Sequence, residues 1–255
     1  MAHSGYAWAK STNCYFYRPG STRSDALLAT SMTTPTPSRR TRCVCCLRPQ
    51  GACICPWVVP VIHAVEVLVL QHPLEVNQAK GSARLLHMSL PNSRMVTGEV
   101  FAPQELQALL TAPFQPGAVA NQPKTTVLLY PQTPHDRSMG IAVPPALEPA
   151  VLCDPAQLRL VVLDGTWRKS CKMLYLNPLL QQLPRLSLCD LPASNYRIRK
   201  AHRPDQLSTL EATCAALAQL GNDPQALQPL VAAFDGFVAQ QLGYRPTSDP
   251  DQPSR

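Results

Sequence analysis

The chain has no apolar run near the roughly 18 residues that a membrane-spanning helix needs, so no membrane partner is expected. It opens without the apolar stretch of a secretory signal. Residues 1–10 pass directly into polar, Ser/Thr-rich sequence, and a cytoplasmic protein is the expectation. Charge is scarce. Asp, Glu, Lys and Arg make up 15% of the 255 residues, against roughly 25% in ordinary domains. Acidic residues are the scarcer sign, 16 against 23 basic ones, which leaves a net charge of +7. That balance points to an anionic partner, nucleic acid being the simplest, with a plain solubility role as the alternative. No G-x-G-x-x-G follows a predicted strand, which weighs against an ordinary dinucleotide-binding fold. No internal repeat is present.

What is present is enough apolar residue for a core, 45% of the chain, in a length that suits one domain with tails. Residues 1–40 are rich in Ser, Thr, Pro and Arg without a period and read as disordered. A cysteine cluster fills 41–60. Strands are predicted at 64–70 (AVEVLVL), 94–100, 125–129, 158–163 (LRLVVL) and 185–188, and helices at 77–87, 103–110, 167–176, 178–183, 208–220 and 224–242. Ser208 and Glu211, three apart at a helix start, form a capping box, and Gly221 ends that helix. Strands alternating with helices give an α/β domain over 61–245 with a mainly parallel sheet, followed by a disordered tail over 246–255. Strand order is not readable from such a pattern.

Ten cysteines without a secretory signal argue against a disulfide scaffold and for metal binding in a reducing compartment. Cys43-x-x-Cys46 and Cys53-x-Cys55 stand six residues apart, with turn formers between them. Four such thiolates can surround one tetrahedral ion, and Zn²⁺ favours Cys₄ sites of this kind; an iron–sulfur cluster and redox thiols are the rivals. Cys45 is read as a bystander, since it cannot easily reach the ion of Cys43 and Cys46.

The strand at 158–163 breaks into Asp164-Gly165-Thr166-Trp167 and then a helix. In open α/β sheets, ligands bind beyond the carboxyl ends of strands, so Asp164 stands where a catalytic acid or base is expected. The plainer alternative is a turn in which Thr166 caps the helix and Trp167 fills core space. Arg197, Arg199, Lys200, His202 and Arg203 fall within seven residues beside Tyr196, and Arg168, Lys169 and Lys172 follow the Asp164 turn. Basic residues beside an aromatic suit phosphate contact and base stacking.

The Asp-x-Thr-Trp tetrapeptide after an apolar strand resembles the signature of the DTW-domain family, the tRNA-uridine aminocarboxypropyltransferases. The likeness extends to 43–49 with Cys53-Ile54-Cys55, to His72-Pro73-Leu74-Glu75, to Tyr130-Pro131, to 194–199 (SNYRIR) and to 207–211 (LSTLE), covering roughly residues 42 to 240. It implies a SPOUT-like fold with a trefoil knot, behind an N-terminal structural zinc knuckle. It also implies transfer of the 3-amino-3-carboxypropyl group of S-adenosylmethionine to N3 of a tRNA uridine, releasing methylthioadenosine. Asp164 would accept or orient the N3 proton, while Thr166 and Trp167 would fix the turn and contact a substrate. Tyr130 and Pro131 would line the donor pocket, with Leu163 and Gly165 beside Asp164. In the matching later segments, Ser194, Tyr196, Arg197 and Arg199, and then Ser208, Thr209 and Glu211, would hold donor or tRNA. His72 and Glu75 are expected on a surface turn.

Overall fold

The computed structural model describes residues 41–114, 124–132, 140–141, 143–188, 207–221 and 223–244. These all belong to one compact unit, Arg40–Arg255. The expectations for 1–40, for 246–255, and for Ser194, Tyr196, Arg197, Arg199, Lys200, His202 and Arg203 lie outside the described residues.

Five strands form one parallel sheet: β1 (Glu66–Gln71), β2 (Ser93–Thr97), β3 (Thr125–Leu129), β4 (Leu158–Asp164) and β5 (Arg185–Leu186). Their spatial order is β2-β1-β4-β3-β5. The two central strands, β1 and β4, are almost wholly buried, because a parallel strand covered on both faces carries apolar residues at successive positions rather than alternate ones. Val67, Val69, Leu158, Leu160 and Val162 point into one core layer, and Leu68, Leu70 and Val161 into the other. The first layer is closed by α1 (Ala83–Ser89), α5 (Thr209–Gly221), α6 (Gln228–Gly243) and the cysteine segment; the second by α2 (Pro103–Thr111), α3 (Trp167–Leu176) and α4 (Pro178–Gln181). The result is a three-layer α/β/α arrangement.

Two charges sit inside this sheet. Glu66 and Arg159 are direct register partners across β1 and β4, and both are buried. Arg159 donates to Glu66 through Nε at 2.8 Å and through Nη2, and to the carbonyls of Leu109 (2.9 Å) and Ala112 (2.8 Å) at the end of α2. Its guanidinium also lies over the Phe114 ring. A buried charge is tolerated when its donors are satisfied, and here the arginine ties α2 to the amino ends of the central strands.

The predicted elements are found with shifted ends. The helix expected at 77–87 begins only at Ala83, and 76–80 is an exposed turn. The strand expected at 94–100 stops at Thr97, and β4 runs one residue further than expected, to Asp164 itself.

Candidate active site and metal centre

The connections of the sheet diverge at one point. From β1 the chain goes to β2 on one side, and from β4 it goes to β5 on the other, past β3. The adjoining carboxyl ends of β1 and β4 are therefore the topological switch point, where α/β sheets bind ligands. Gln71 and Asp164 are register partners there.

Asp164 is 5% exposed. Its Oδ2 accepts from Gln71 Nε2 at 2.8 Å and its Oδ1 from Thr209 Oγ1 at 2.7 Å. Its carbonyl accepts from the His72 N–H at 2.9 Å. Strand β1, strand β4 and the start of α5 thus converge on one carboxylate. Gly165 packs closely against the following helix: a Cβ on it would stand 3.1 Å from the Lys169 Cβ, tighter than an ordinary contact. Thr166 caps α3, accepting from the Lys169 N–H at 3.4 Å.

Beside Asp164 lies a small polar cleft bounded by Glu75, Lys80, Gly81, Ser82, Ser208 and Thr209 among others. Glu75 is buried and pairs with Lys169 Nζ at 2.8 Å. At the helix start, Ser208 Oγ accepts from the Glu211 N–H at 3.1 Å, and Glu211 Oε2 accepts from the Ser208 N–H at 2.7 Å. Ser82 Oγ accepts from the Leu210 N–H at 3.3 Å. The capping box is present, so these N–H groups have partners within the protein; Thr209 instead turns its hydroxyl to Asp164.

His72 and Glu75 do not form the expected surface turn. Both side chains are buried, because each has a distant partner: Lys169 for Glu75, and Glu99 for His72. His72 Nδ1 accepts from the Leu74 N–H at 3.1 Å, so the hydrogen on Nε2 is the one donated to Glu99 Oε1 at 2.8 Å. That bond, followed by the one from Lys172, holds Glu99 below its ordinary 4.5.

Trp167 is not a core residue. It is 53% exposed, and its inner face stacks on the buried Tyr130 at 5.1 Å and 17°. Tyr130 is fixed in turn by Cys171 Sγ at 3.0 Å and by the Arg185 guanidinium over its ring. Pro131 is exposed and its carbonyl accepts from Arg185 Nη1 at 3.3 Å; Leu163 is half-buried against the second core layer. Arg168 and Lys172 are exposed near Trp167. Gln71 and Ser82 carry no signal in the sequence that marks them as site residues; their roles come from strand pairing and loop packing. Lys169, expected toward phosphate, pairs with Glu75 instead.

The second centre is formed by Cys43, Cys46, Cys53 and Cys55, whose sulfurs all lie within 4.8 Å of one another. Cys43 and Cys55 are 3.6 Å apart, and Cys46 and Cys53 are 3.8 Å apart. A tetrahedral ion with metal–sulfur bonds of about 2.3 Å requires sulfur–sulfur edges of about 3.8 Å. The residues therefore fit such an ion, and this cluster could hold a metal. Cys45 is exposed and outside the group. The first pair is brought round by a turn in which Leu47 has φ 59° and the Cys43 N–H donates to the Arg48 carbonyl at 2.8 Å. Backbone N–H groups of Cys46 and Cys45 lower Cys43 to about 6, while burial raises Cys53 and Cys55. The segment is mounted on α6. Trp57 Nε1 donates to Gln240 Oε1 at 2.9 Å, and Gln240 Nε2 donates to the Cys53 carbonyl at 3.0 Å. Trp57 lies so close that any Cβ at Gly236 would be 2.1 Å from its ring.

Fold and site together define an α/β protein with a polar cleft at its switch point and a four-cysteine unit on one face. The DTW domain matches residues 40–242, and the chain belongs to that family. It is 30% identical over 214 residues to tRNA-uridine aminocarboxypropyltransferase 2 of Drosophila melanogaster, covering 81% of this chain and 77% of that protein. It is 27% identical over 209 residues to the protein of the same name in Macaca fascicularis, covering 80% of this chain and 64% of that one. It is 26% identical over 141 residues to tRNA-uridine aminocarboxypropyltransferase A of Arabidopsis thaliana, covering 53% and 50%. No solved structure matches. No helix among the described residues is long and apolar enough to cross a membrane.

Proposed function

We propose that this chain transfers the 3-amino-3-carboxypropyl group of S-adenosylmethionine to N3 of a uridine in tRNA, releasing methylthioadenosine. The names of its relatives support the reading, and the observation that carries it is the Asp164 carboxylate, held at the switch point by Gln71 and Thr209 beside an open cleft. With the activity goes the SPOUT-like, trefoil-knotted arrangement, with 41–60 as the zinc knuckle and 61–245 as the catalytic domain. The cytoplasm, being reducing, suits such a knuckle.

Uridine N3 carries a proton at neutral pH and must lose it to attack carbon. Asp164 is held in place by its bonds from Gln71 and Thr209, and a carboxylate is a far weaker base than the N3 anion of uridine. Asp164 therefore orients the N3–H and takes its proton as the new bond forms rather than before. The N3–carbon bond forms as the carbon–sulfur bond breaks, and the bonding pair returns to sulfur, leaving a neutral thioether. The sulfonium of the donor makes that departure easy, so much of the rate comes from positioning.

The cleft residues divide by charge. Glu75 suits the donor's ammonium, and Lys80 its carboxylate. Trp167, rigid on Tyr130 and open on its outer face, suits a stacked base, with Arg168 and Lys172 toward tRNA phosphates. Pro131, Leu163, Gly165 and Thr166 lie at or after the strand ends rather than along that cleft, and Ser194, Tyr196, Arg197 and Arg199 are the further candidates for donor and tRNA contact. Zinc held by Cys43, Cys46, Cys53 and Cys55 is structural, since four protein ligands leave no open position.

The test uses purified protein, unmodified tRNA and donor labelled in the aminocarboxypropyl group. Label on uridine after digestion is expected. Methyl transfer without that label makes the protein an RNA methyltransferase and overturns the reading, and tRNA binding with no transfer leaves a non-catalytic RNA-binding protein.

A further inference from the structure

The wall of the cleft opposite α5 is the loop from Val76 to Ser82. Its residues 76–80 are all exposed, so the core does not hold them. Its backbone makes short turns, the Gln78 N–H to the Glu75 carbonyl at 3.0 Å and the Gly81 N–H to the Gln78 carbonyl at 2.9 Å, and the Gln78 side chain donates to the Leu74 carbonyl at 3.2 Å. Its anchor comes from elsewhere. Arg48, placed between the two cysteine pairs, donates through Nη1 to the Ala79 carbonyl at 2.5 Å and through Nη2 to the Gly81 carbonyl at 2.7 Å. The same guanidinium lies over the Phe237 ring of α6, 5.2 Å from its centre. Arg42, next to Cys43, reaches Asn77 Oδ1 at 3.5 Å.

The chain of contacts continues inward. Lys80, Gly81 and Ser82 line the cleft. Ser82 accepts from the Leu210 N–H, and the neighbouring Thr209 donates to Asp164. Arg48 itself is positioned by the turn that carries Cys43 and Cys46, since the Cys43 N–H is bonded to the Arg48 carbonyl.

We propose that Arg48 is a positioning residue through which the four-cysteine unit shapes the cleft, so that a metal ion in that unit sets the affinity of the cleft for its small-molecule ligand. The part concerning the ligand rests on the reading that the cleft takes the S-adenosylmethionine donor; the part concerning the loop does not.

The experiment measures hydrogen exchange of the 76–82 segment and donor affinity by calorimetry. It uses the full chain as metal-loaded wild type, chelator-treated wild type, Arg48→Lys and Arg48→Ala. Metal content and thermal midpoint are recorded for each. Charged hydrogen bonds of this kind correspond to roughly 10- to 100-fold in a local opening equilibrium. Arg48→Ala that keeps its metal should exchange faster over 76–82 by roughly that factor, with β3 unchanged, and should bind the donor about tenfold more weakly. Arg48→Lys, able to reach one carbonyl, should fall between. Chelation of the wild type should reproduce both changes and add little to those of Arg48→Ala. Unchanged exchange in metal-loaded Arg48→Ala overturns the proposal, as does an additive effect of chelation. If loop exchange responds as stated while wild type binds no donor, the loop coupling stands and the transferase reading falls.

Discussion

Replacing Asp164 by Asn keeps the outline of the side chain and removes its charge. The surroundings can adapt to the exchange. Asn presents one oxygen and one NH₂ where Asp presented two oxygens. Thr209 can accept as readily as donate, and Gln71 can turn its amide to offer Oε1 instead of Nε2. Both bonds, now 2.7 and 2.8 Å to a charged acceptor, can persist as neutral ones. A charged bond contributes about 1.5–3 kcal/mol and a neutral one about 1, so the two together lose about 1–4 kcal/mol. Asp164→Ala strands the buried Gln71 amide, at about 1–3 kcal/mol, takes the partner of the half-buried Thr209 hydroxyl, and leaves a cavity besides. Asn should therefore fold with a thermal midpoint lowered by about 2–16 °C, at about 2–4 °C per kcal/mol for a domain of this size, and above that of Ala. Activity should separate from stability. Loss of a positioned proton acceptor costs about 10²–10⁴-fold, read as single-turnover transfer of label from donor to tRNA. An Asp164→Asn enzyme within about threefold of wild type would refute the proton-accepting role. An Asn variant no more stable than Ala would refute the argument that the neighbours adapt.

Serine at any one of Cys43, Cys46, Cys53 or Cys55 should cost the protein its bound metal and lower its thermal midpoint, since metal binding contributes folding free energy, while the α/β core still melts cooperatively; Cys45→Ser should keep one equivalent of zinc by elemental analysis. Glu66→Ala leaves Arg159 as a buried cation with only carbonyl and ring partners, and should destabilise by about 3–5 kcal/mol in urea unfolding; a loss below about 1 kcal/mol would show that the pair is dispensable. For Glu99 the folded value lies below the unfolded 4.5, so its contribution is present above that value and disappears as pH falls through the lowered one. The difference in unfolding midpoint between wild type and Glu99→Gln should accordingly shrink on acidification, and a difference that grows instead would show that His72 and Lys172 do not stabilise the carboxylate.

The strands and the place of Asp164 were legible because their causes are local. A continuous apolar run ending in a turn is a statement about burial, and β4 obeys it. The capping box of α5 is equally local, and both of its reciprocal bonds are present. Strand order was illegible because pairing joins residues about 90 apart, as Glu66 and Arg159 do. Yet each of those strands carries a single charge near its start, Glu in AVEVLVL and Arg in LRLVVL. Opposite charges that interrupt two otherwise apolar runs are a pairing signal, since neither can be buried alone. The late start of α1 has a non-local cause as well. Residues 76–82 are held as a turn by Arg48, about 30 positions away, and no propensity within the loop announces that.

The same distinction governs the site. Asp164, Thr166 and Trp167 belong to one tetrapeptide and could be read together, whereas Gln71, Glu75 and Ser82 reach it only through the fold. His72 and Glu75 illustrate why. A His-Pro-Leu-Glu segment after a strand has the composition of an exposed turn, and two of its residues, Pro73 and Leu74, are exposed. The other two turn inward because Glu99 and Lys169 stand where charge can be matched. An ionisable residue in a turn is buried when a partner has been brought to it, and the partner is supplied by topology. At the carboxyl ends of β1 and β4 the connections lead away from each other, so loops from 72–82, 165–166 and 207–209 have room to meet. That meeting gives Asp164 a hydrogen-bond donor from each of two separate elements, so its function depends on segments that no motif of consecutive residues contains.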